Sequence, residues 1–213
     1  MRIALIHAVR VAMDPVEEAF ARLWPEARLV HLLDDGLSAD LARDGAITDA
    51  MTDRFVTLAS YAHRTGADGI LFTCSAFGPC IEAAAGAVPV SVLKPNEAMF
   101  RDGAQAGARV GLLASFAPSL PPMEAEFQAL ASGTVLQTAC APEAMRALNA
   151  GDAATHDRLL AEAAKGLATC DAIMLAQFST ARARDAVAEA TGLPVLTSPD
   201  SAVRAMRAEL VSG

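Results

Sequence analysis

The chain has 213 residues, which suits one compact unit or two interlocked small lobes and excludes a large multidomain protein. It is 53% hydrophobic and 20% charged, so it has ample material for a core and is not intrinsically disordered. Its net charge is −8 and it has no run of Lys or Arg, which argues against nucleic acid as a partner.

The amino terminus and the cysteines indicate a protein of the cytoplasm. The apolar run that starts at Ile3 breaks at His7 and again at Arg10, so it predicts a first buried strand and not a signal peptide. No stretch reaches the roughly 18 apolar residues that a membrane span needs. We expect no membrane partner and reduced thiols, because no C-x-x-C pair is present among Cys74, Cys80, Cys140 and Cys170.

Short apolar runs alternate with Ala-rich amphipathic stretches, a pattern typical of βα units around a parallel sheet. The first run is Arg2–His7, and Asp14 and Pro15 after it predict the N-cap and first turn of a helix. Later strands are predicted, in chain order, at Arg28–Leu33, Gly69–Thr73, Val88–Val92, Val110–Ala114, Thr134–Thr138, Ala172–Leu175 and Pro194–Leu196. Helices fill most of the gaps, so the predicted fold class is α/β.

Three segments of the first half recur in the same order in the second half. At offsets of 107, 103 and 105 residues, the matching pairs begin at Arg2 and Arg109, at Asp68 and Asp171, and at Val88 and Leu193. This repeat predicts two lobes related by a pseudo-two-fold axis, each a short parallel sheet flanked by helices. We expect lobe 1 to contain residues 1–95 and a C-terminal helix at 200–213, and lobe 2 to contain residues 96–199. The alternative is that buried parallel strands simply share this apolar pattern.

A duplicated sheet has consequences for where a ligand would bind. Ligands of open α/β sheets lie beyond the carboxyl ends of the strands, so we expect the active site between the lobes. It would be lined by the turns that follow matching strands, which are His7–Met13, Thr73–Gly78, Ser115–Ser119 and Gln177–Thr180.

The turn after the third predicted strand carries the strongest candidate for chemistry. Cys74 lies between a strand and a helix, where a helix N-terminus can lower the pKa of a thiol from its usual value of about 8.5. It is therefore a candidate nucleophile or proton-transfer group. The hydroxyls of Thr73 and Ser75, with the N–H groups that follow them, are candidates to hold a carboxylate. The alternative is a small cysteine that closes a tight turn.

The matching turn of the second half has Gln177 in the position of Cys74. An amide does not titrate, but it can orient or stabilise an enolate-like oxygen. Ser179 and Thr180 after it are candidates to bind an anion or to cap a helix.

Two residues near the end of the first strand are candidate partners for Cys74. His7 is a candidate acid or base, because an imidazole titrates near pH 6.5, or else a hydrogen-bonded structural residue. Arg10 is a candidate clamp for a substrate carboxylate, or else it pairs with Asp14 or Glu17. The other histidines have no companions at metal-ligand spacing, so we expect no metal.

These motifs resemble the aspartate/glutamate racemase superfamily, which includes glutamate and hydantoin racemases, maleate isomerase and arylmalonate decarboxylase. The resemblance rests on the Thr73-Cys74-Ser75-Ala76 turn, the Gln177-Phe178-Ser179 turn and the Gly111–Ser115 segment that starts the second half. It implies cofactor-independent chemistry at the carbon next to a carboxylate or similar carbonyl. Members with two cysteines place one on each face of that carbon, and in this chain Cys74 matches the first while Gln177 replaces the second.

The resemblance also extends the set of candidate binding residues. It implies that the hydroxyl-rich turn containing Ser115, Phe116 and Ser119 holds substrate carboxylates, although Ser119 also suits a helix N-cap. Ala76 and Phe178 enter the set as members of the two matching motifs. Dimers are common in this superfamily, so a homodimer or a higher homo-oligomer is expected.

The sequence leaves more than one function open. The leading hypothesis is a racemase or isomerase acting on a small acid without a cofactor, with Cys74 as acid/base or nucleophile. A second is a decarboxylase of the arylmalonate type, in which one thiol protonates the enediolate that remains after loss of carbon dioxide. A third is a protein that binds a small carboxylate and has lost turnover with the second cysteine. Nucleotide cofactors are not expected, because no Gly-rich phosphate motif is present.

Overall fold

The computed structural model describes residues 1–211, and Ser212 and Gly213 of the predicted C-terminal helix lie outside the described residues. The strands are β1 Arg2–His7, β2 Arg28–Leu33, β3 Gly69–Phe72, β4 Ser91–Leu93, β5 Arg109–Ala114, β6 Val135–Cys140, β7 Ala172–Leu175 and β8 Val195–Thr197. The helices are α1 Met13–Leu23, α2 Gly36–Asp44, α3 Asp49–Arg64, α4 Gly78–Ala87, α5 Glu97–Ala106, α6 Leu120–Leu130, α7 Pro142–Asn149, α8 Ala153–Ala164, α9 Arg184–Thr191 and α10 Ser198–Val211.

The strands form two four-stranded parallel sheets with the same topology. The strand order is β2-β1-β3-β4 in the first sheet and β6-β5-β7-β8 in the second. All the strand pairs are parallel. This confirms the predicted α/β class with two short parallel sheets flanked by helices.

The chain divides into two compact units. The first unit is Met1–Pro95 together with the chain from Ala202 onward, and the second unit is Asn96–Ser201. The division at the C-terminal side therefore falls within α10, between Ser201 and Ala202.

In each unit an aspartate directly precedes a central strand, β3 or β7, and its contacts explain part of the sequence repeat. Asp68 Oδ2 accepts a hydrogen bond from Arg2 N at 2.7 Å, and Asp171 Oδ2 accepts one from Arg109 N at 2.9 Å. The backbone closes the same pair in return, because Asp68 N donates to Arg2 O and Asp171 N donates to Arg109 O. The repeated aspartate thus fixes the start of one central strand against the other.

Each unit has its own apolar core. In the first unit the ring of Phe55 on α3 packs against Phe72 and Phe77, with centroids 5.0 Å apart in both pairs. In the second unit Phe100 and Phe127 meet edge to face at 5.6 Å. Such aromatic pairs contribute about 0.5–1.5 kcal/mol beyond the burial of their area. The scarce aromatic residues are therefore concentrated where helices pack on the sheets.

Gly69 shows how closely α10 packs on the first sheet. A Cβ atom at this position would lie 2.7 Å from Met206 Sδ and 2.9 Å from Leu210 Cδ1. Because such distances are too short for a side chain, glycine at the start of β3 lets the last helix approach the strand.

The bounds of β3, β5, β6 and β8 differ from the predicted ones by one or two residues. Further differences concern β4, its offset in the repeat and the start of α1. β4 runs over Ser91–Leu93, later than the predicted Val88–Val92, because Ile70 pairs with Val92 just as Ile173 pairs with Val195. The register offset of this pair is therefore 103 residues (195 − 92) and not 105. Asp14 is not an N-cap, since α1 begins one residue earlier and Ala12 occupies that position.

Candidate active site

Cys74 lies two residues after the carboxyl end of β3, which is at Phe72. Its backbone is extended and leads into a short 3₁₀ helix, Ser75–Phe77, before α4 begins at Gly78. The side chain is partly exposed, and the backbone N–H of Ala76 donates a hydrogen bond to its sulfur. The thiol therefore has one hydrogen-bond donor that can stabilise a thiolate.

The expected lowering of the Cys74 pKa is wrong. Burial raises the pKa of the thiol to about 11, although the Ala76 N–H opposes the shift. The physical reason is position: the 3₁₀ turn separates the sulfur from the first turn of α4, where the helix dipole acts. Cys74 is therefore a neutral thiol near neutral pH, which suits a proton donor better than a proton acceptor.

Thr73 joins the Cys74 turn to the end of β1. The residue is buried, and its backbone N–H donates to Ile6 O at 3.0 Å. Its hydroxyl oxygen lies 2.8 Å from His7 Nδ1 and 3.5 Å from Ile6 O. Ser75 and Ala76 remain partly exposed, so the outer part of the turn is the accessible part.

His7 is the centre of a polar chain that the sequence analysis missed. His7 Nε2 lies 3.0 Å from His31 Nδ1, and His31 Nε2 lies 3.3 Å from Glu17 Oε1. Burial and the neighbouring His31 lower the pKa of His7 to about 4, so His7 is neutral at physiological pH. A signal for this contact was present, since the predicted β1 and β2 are adjacent strands and each carries a histidine.

Arg10 makes a different ion pair from those expected. Its guanidinium lies 3.1 Å from Asp35 Oδ2, and both side chains are largely exposed. This contact stands in place of the expected pairing with Asp14 or Glu17. Exposed ion pairs of this kind contribute about 0–1 kcal/mol, so the Asp35 contact is easily exchanged.

In the second unit Gln177 joins the turns after β5 and β7. Its Oε1 accepts hydrogen bonds from Ser115 N at 3.0 Å and Ser115 Oγ at 3.3 Å. Its Nε2 donates to Ser119 Oγ at 2.8 Å, and Ser119 Oγ in turn donates to Phe116 O at 2.7 Å. The structure thus brings Gln177, Ser115 and Ser119 together, and the amide acts there as a cross-link.

Phe178, Ser179 and Thr180 lie in a buried 3₁₀ helix, Phe178–Ala183, directly after Gln177. Thr180 Oγ1 accepts from Gln177 N at 3.3 Å and donates to Gln177 O at 2.7 Å, which is a capping arrangement. Phe116, in contrast, is 49% exposed at the tip of the turn after β5. It is the accessible apolar side chain of this turn, whereas Thr180 is committed to the backbone.

The other three cysteines have contacts of a structural kind. Cys80 is buried and lies 3.4 Å from Thr52 Oγ1, and Cys170 is buried with its sulfur 3.7 Å from Gln137 Oε1. Burial raises the pKa of Cys170 and also that of Cys140. Within residues 1–211, no group of three or more His, Cys, Asp or Glu side chains is arranged to hold a metal ion.

A family model for Asp/Glu/Hydantoin racemase matches residues 13–206, which is most of the chain. The chain belongs to this racemase family. The resemblance inferred from the Cys74 and Gln177 motifs is therefore confirmed. No curated protein sequence matches the chain.

Solved structures of racemase-family proteins share the fold at low sequence identity. Aspartate racemase from Picrophilus torridus matches with a TM-score of 0.78 and 12% identity, over 99% of this chain and 94% of its own. Allantoin racemase from Pseudomonas fluorescens matches with a TM-score of 0.72 and 16% identity, over 100% and 91%. A liganded mutant of arylmalonate decarboxylase, in which a glycine became cysteine and a cysteine became serine, matches with a TM-score of 0.69 and 20% identity, over 100% and 93%.

In this racemase-family chain, the candidate residues form one group in each unit. His7, Thr73 and Cys74 belong to the first unit, and Ser115, Ser119 and Gln177 belong to the second. The inference that all four turns line one site stays a prediction. Over the part of the chain that the structure describes, no helix has the length and apolar character required to cross a membrane.

Proposed function

We propose that the protein is a cofactor-independent enzyme of the isomerase type that transfers a proton at the carbon next to the carboxylate of a small acid. Cys74 is the group that carries the proton. The observation behind this proposal is a thiol that burial holds neutral and that is hydrogen-bonded to Ala76 N–H, on a half-buried residue just past the end of a central strand in a racemase-family chain. A cytoplasmic location and a homodimer remain parts of the proposal.

Substrate binding is proposed for the accessible groups around this thiol. Ser75 and the backbone N–H groups of the 3₁₀ turn can donate to a carboxylate, because donors converge where the strand ends. Arg10 can exchange its exposed Asp35 partner for a substrate carboxylate. In the second unit, we propose Phe116 as an apolar contact and the Ser115 and Ser119 turn as a polar one.

Decarboxylation is the second candidate, and Gln177 favours it. An amide that is hydrogen-bonded to Ser115 and Ser119 cannot remove a proton from carbon, so Gln177 does not supply a second acid or base beside Cys74 in the mechanism. In this reaction the bond between the α-carbon and one carboxylate breaks, carbon dioxide leaves, and the electron pair stays as an enediolate. Cys74 then transfers its proton to the carbon, and the resulting thiolate regains a proton from solvent. A neutral thiol supplies this step directly.

The test is turnover of a panel of amino acids, hydantoins and disubstituted malonates in heavy water. Measurements of deuterium at the α-carbon, chirality and released carbon dioxide separate exchange, racemisation and decarboxylation. We expect Cys74→Ala to lose on the order of 10²–10⁴-fold in rate, the usual size of general acid–base catalysis. Cys140→Ala is the matched control, since it removes another partly exposed thiol and should retain activity.

Two outcomes would reject the proposal. Full turnover by Cys74→Ala would remove the cysteine from the mechanism. Tight binding of panel compounds without exchange, racemisation or loss of carbon dioxide would instead identify a carboxylate-binding protein.

A further inference from the structure

A continuous line of hydrogen-bonding side chains runs from the surface of α1 to the residue before Cys74. It consists of Glu17, His31, His7 and Thr73, joined by contacts of 3.3, 3.0 and 2.8 Å. His7 and Thr73 are buried, whereas half of the Glu17 side chain is exposed. The line therefore connects a half-exposed carboxylate to a buried hydroxyl.

We propose that Glu17 and His31 are positioning residues, which fix the tautomer of His7 and thereby make the hydroxyl of Thr73, the residue before Cys74 in the chain, a hydrogen-bond acceptor. The expected effect on turnover rests on the proposed function of Cys74. The tautomers of His7 and His31 do not depend on it.

The direction of the hydrogen bonds follows from the outer end of the line. A carboxylate only accepts hydrogen bonds, so the proton of a singly protonated His31 lies on Nε2, facing Glu17. His31 Nδ1 is then an acceptor, and the facing nitrogen of His7, Nε2, must carry the proton of that ring. The low pKa of His7, which results mainly from burial, is consistent with a ring that carries a single proton.

The inner end of the line determines what Thr73 can do. His7 Nδ1 has no proton in this tautomer, so it accepts the single hydroxyl proton of Thr73 at 2.8 Å. The competing acceptor, Ile6 O, lies farther away at 3.5 Å. The Thr73 oxygen has only lone pairs left for a further partner.

This arrangement changes the role expected for Thr73. The sequence suggested that its hydroxyl donates to a substrate carboxylate, whereas its proton is already used by His7. Any further partner of the Thr73 oxygen must therefore be a hydrogen-bond donor. Carboxylate binding is left to Ser75 and the backbone N–H groups.

The test is the tautomer of each histidine, read by long-range ¹H–¹⁵N correlation on the full chain with labelled histidine. The measurement is made at about pH 8.5, well above the ordinary imidazole pKa of about 6.5. We expect the proton on Nε2 of both His7 and His31. Glu17→Ala should replace this single pattern with a mixture, and Glu17→Gln should do the same, because a carboxamide can donate to His31 Nε2 as well as accept from it. Glu18→Ala is the matched control, since it removes a neighbouring exposed carboxylate.

Kinetics add a second measurement on the same variants. We expect Glu17→Ala to lower kcat about tenfold, at the lower end of what loss of an outer hydrogen-bond partner costs, with KM unchanged. Glu17→Gln should lower kcat in the same way, whereas Glu18→Ala should keep the wild-type kcat.

The inference is overturned if wild-type His7 is protonated on Nδ1, if His31 carries two protons at this pH, or if the Glu17→Ala spectrum equals that of Glu18→Ala. The wild-type spectrum decides the matter by itself if Glu17→Ala fails to fold. Absence of turnover in the wild type would reject the proposed function, while the tautomer pattern would still support or overturn this inference.

Discussion

Burial holds two ionisable side chains of the first unit in their uncharged forms. Desolvation raises the pKa of Cys74 to about 11 and lowers that of His7 to about 4, so a cysteine and a histidine are both neutral over the physiological range. A reaction that needs a thiolate or an imidazolium would have to overcome this burial. A reaction that needs a thiol proton does not.

The low pKa of His7 predicts a loss of stability in acid. Its folded pKa of about 4 lies below the ordinary value of 6.5, so the unfolded chain binds more protons between these values. The stabilisation is complete above pH 6.5 and is lost as the pH falls toward 4. The loss amounts to about 2 kcal/mol at pH 5. Urea unfolding measured at about pH 7.5 and at about pH 5 gives the decrease in the free energy of unfolding between these conditions. This decrease should be about 2 kcal/mol smaller in His7→Gln than in the wild type.

Titrating groups that do not contact His7 contribute equally to both proteins and cancel in this comparison; His31, which contacts His7, is the exception. Between about pH 7.5 and 8.5, the unfolding free energies of the wild type and His7→Gln should change in parallel. An equal acid drop in the two proteins would contradict the pKa assigned to His7.

At the scale of elements, one amide ties together two turns of the second unit. Gln177 follows β7, and its carboxamide bonds to Ser115 and Ser119, which flank the turn after β5. The turn between those serines is exposed at Phe116 and is anchored at both ends. Gln177 therefore serves to hold this loop in place.

Removal of this amide should destabilise the protein measurably. Gln177→Ala leaves the N–H of Ser115 and the Oγ of Ser119 without their partner, at an expected cost of about 1–3 kcal/mol. Gln128→Ala is the matched control, because it removes an exposed amide on α6, and its cost should be within about 0.5 kcal/mol. Equal shifts of the urea midpoint in the two variants would contradict the cross-link.

Most elements could be predicted from sequence because buried parallel strands are short runs of β-branched and aliphatic residues, which stand out from the helical segments between them. β1, β2 and β7 have the predicted bounds, whereas β4 was misplaced. The prediction of β4 was based on the similarity between the segments that begin at Val88 and Leu193. It was wrong because backbone pairing, and not this similarity, sets the register of the strand. The Cys74 turn was located correctly, but its pKa was not, because burial depends on packing from distant parts of the chain. The Glu17, His31 and His7 contacts were missed for the same reason.

At the scale of the whole molecule, the chain builds two units of the same topology, each around a separate core. Phe55, Phe72 and Phe77 belong to the core of the first unit, and Phe100 and Phe127 belong to that of the second. Cooperative opening often follows such divisions, so stability need not be uniform along the chain.

Matched core truncations test this division. Phe127→Ala should cost about 3–5 kcal/mol and accelerate amide hydrogen exchange in β5 and β7, whereas Phe55→Ala should do so in β1 and β3. Exchange measured by mass spectrometry on peptides reports each strand separately. Equal acceleration of all four strands by both variants would show that the units open only together.

The division within α10 has a consequence for the order in which the protein can fold during synthesis. The second unit is a continuous segment, Asn96–Ser201, so all its strands have been made before the ribosome reaches Ala202. The first unit, although its strands are made earliest, still lacks Met206 and Leu210, the side chains that pack on Gly69. Its sheet must wait with one face incompletely covered until the last helix is made, so the half that is synthesised first is the half that is completed last.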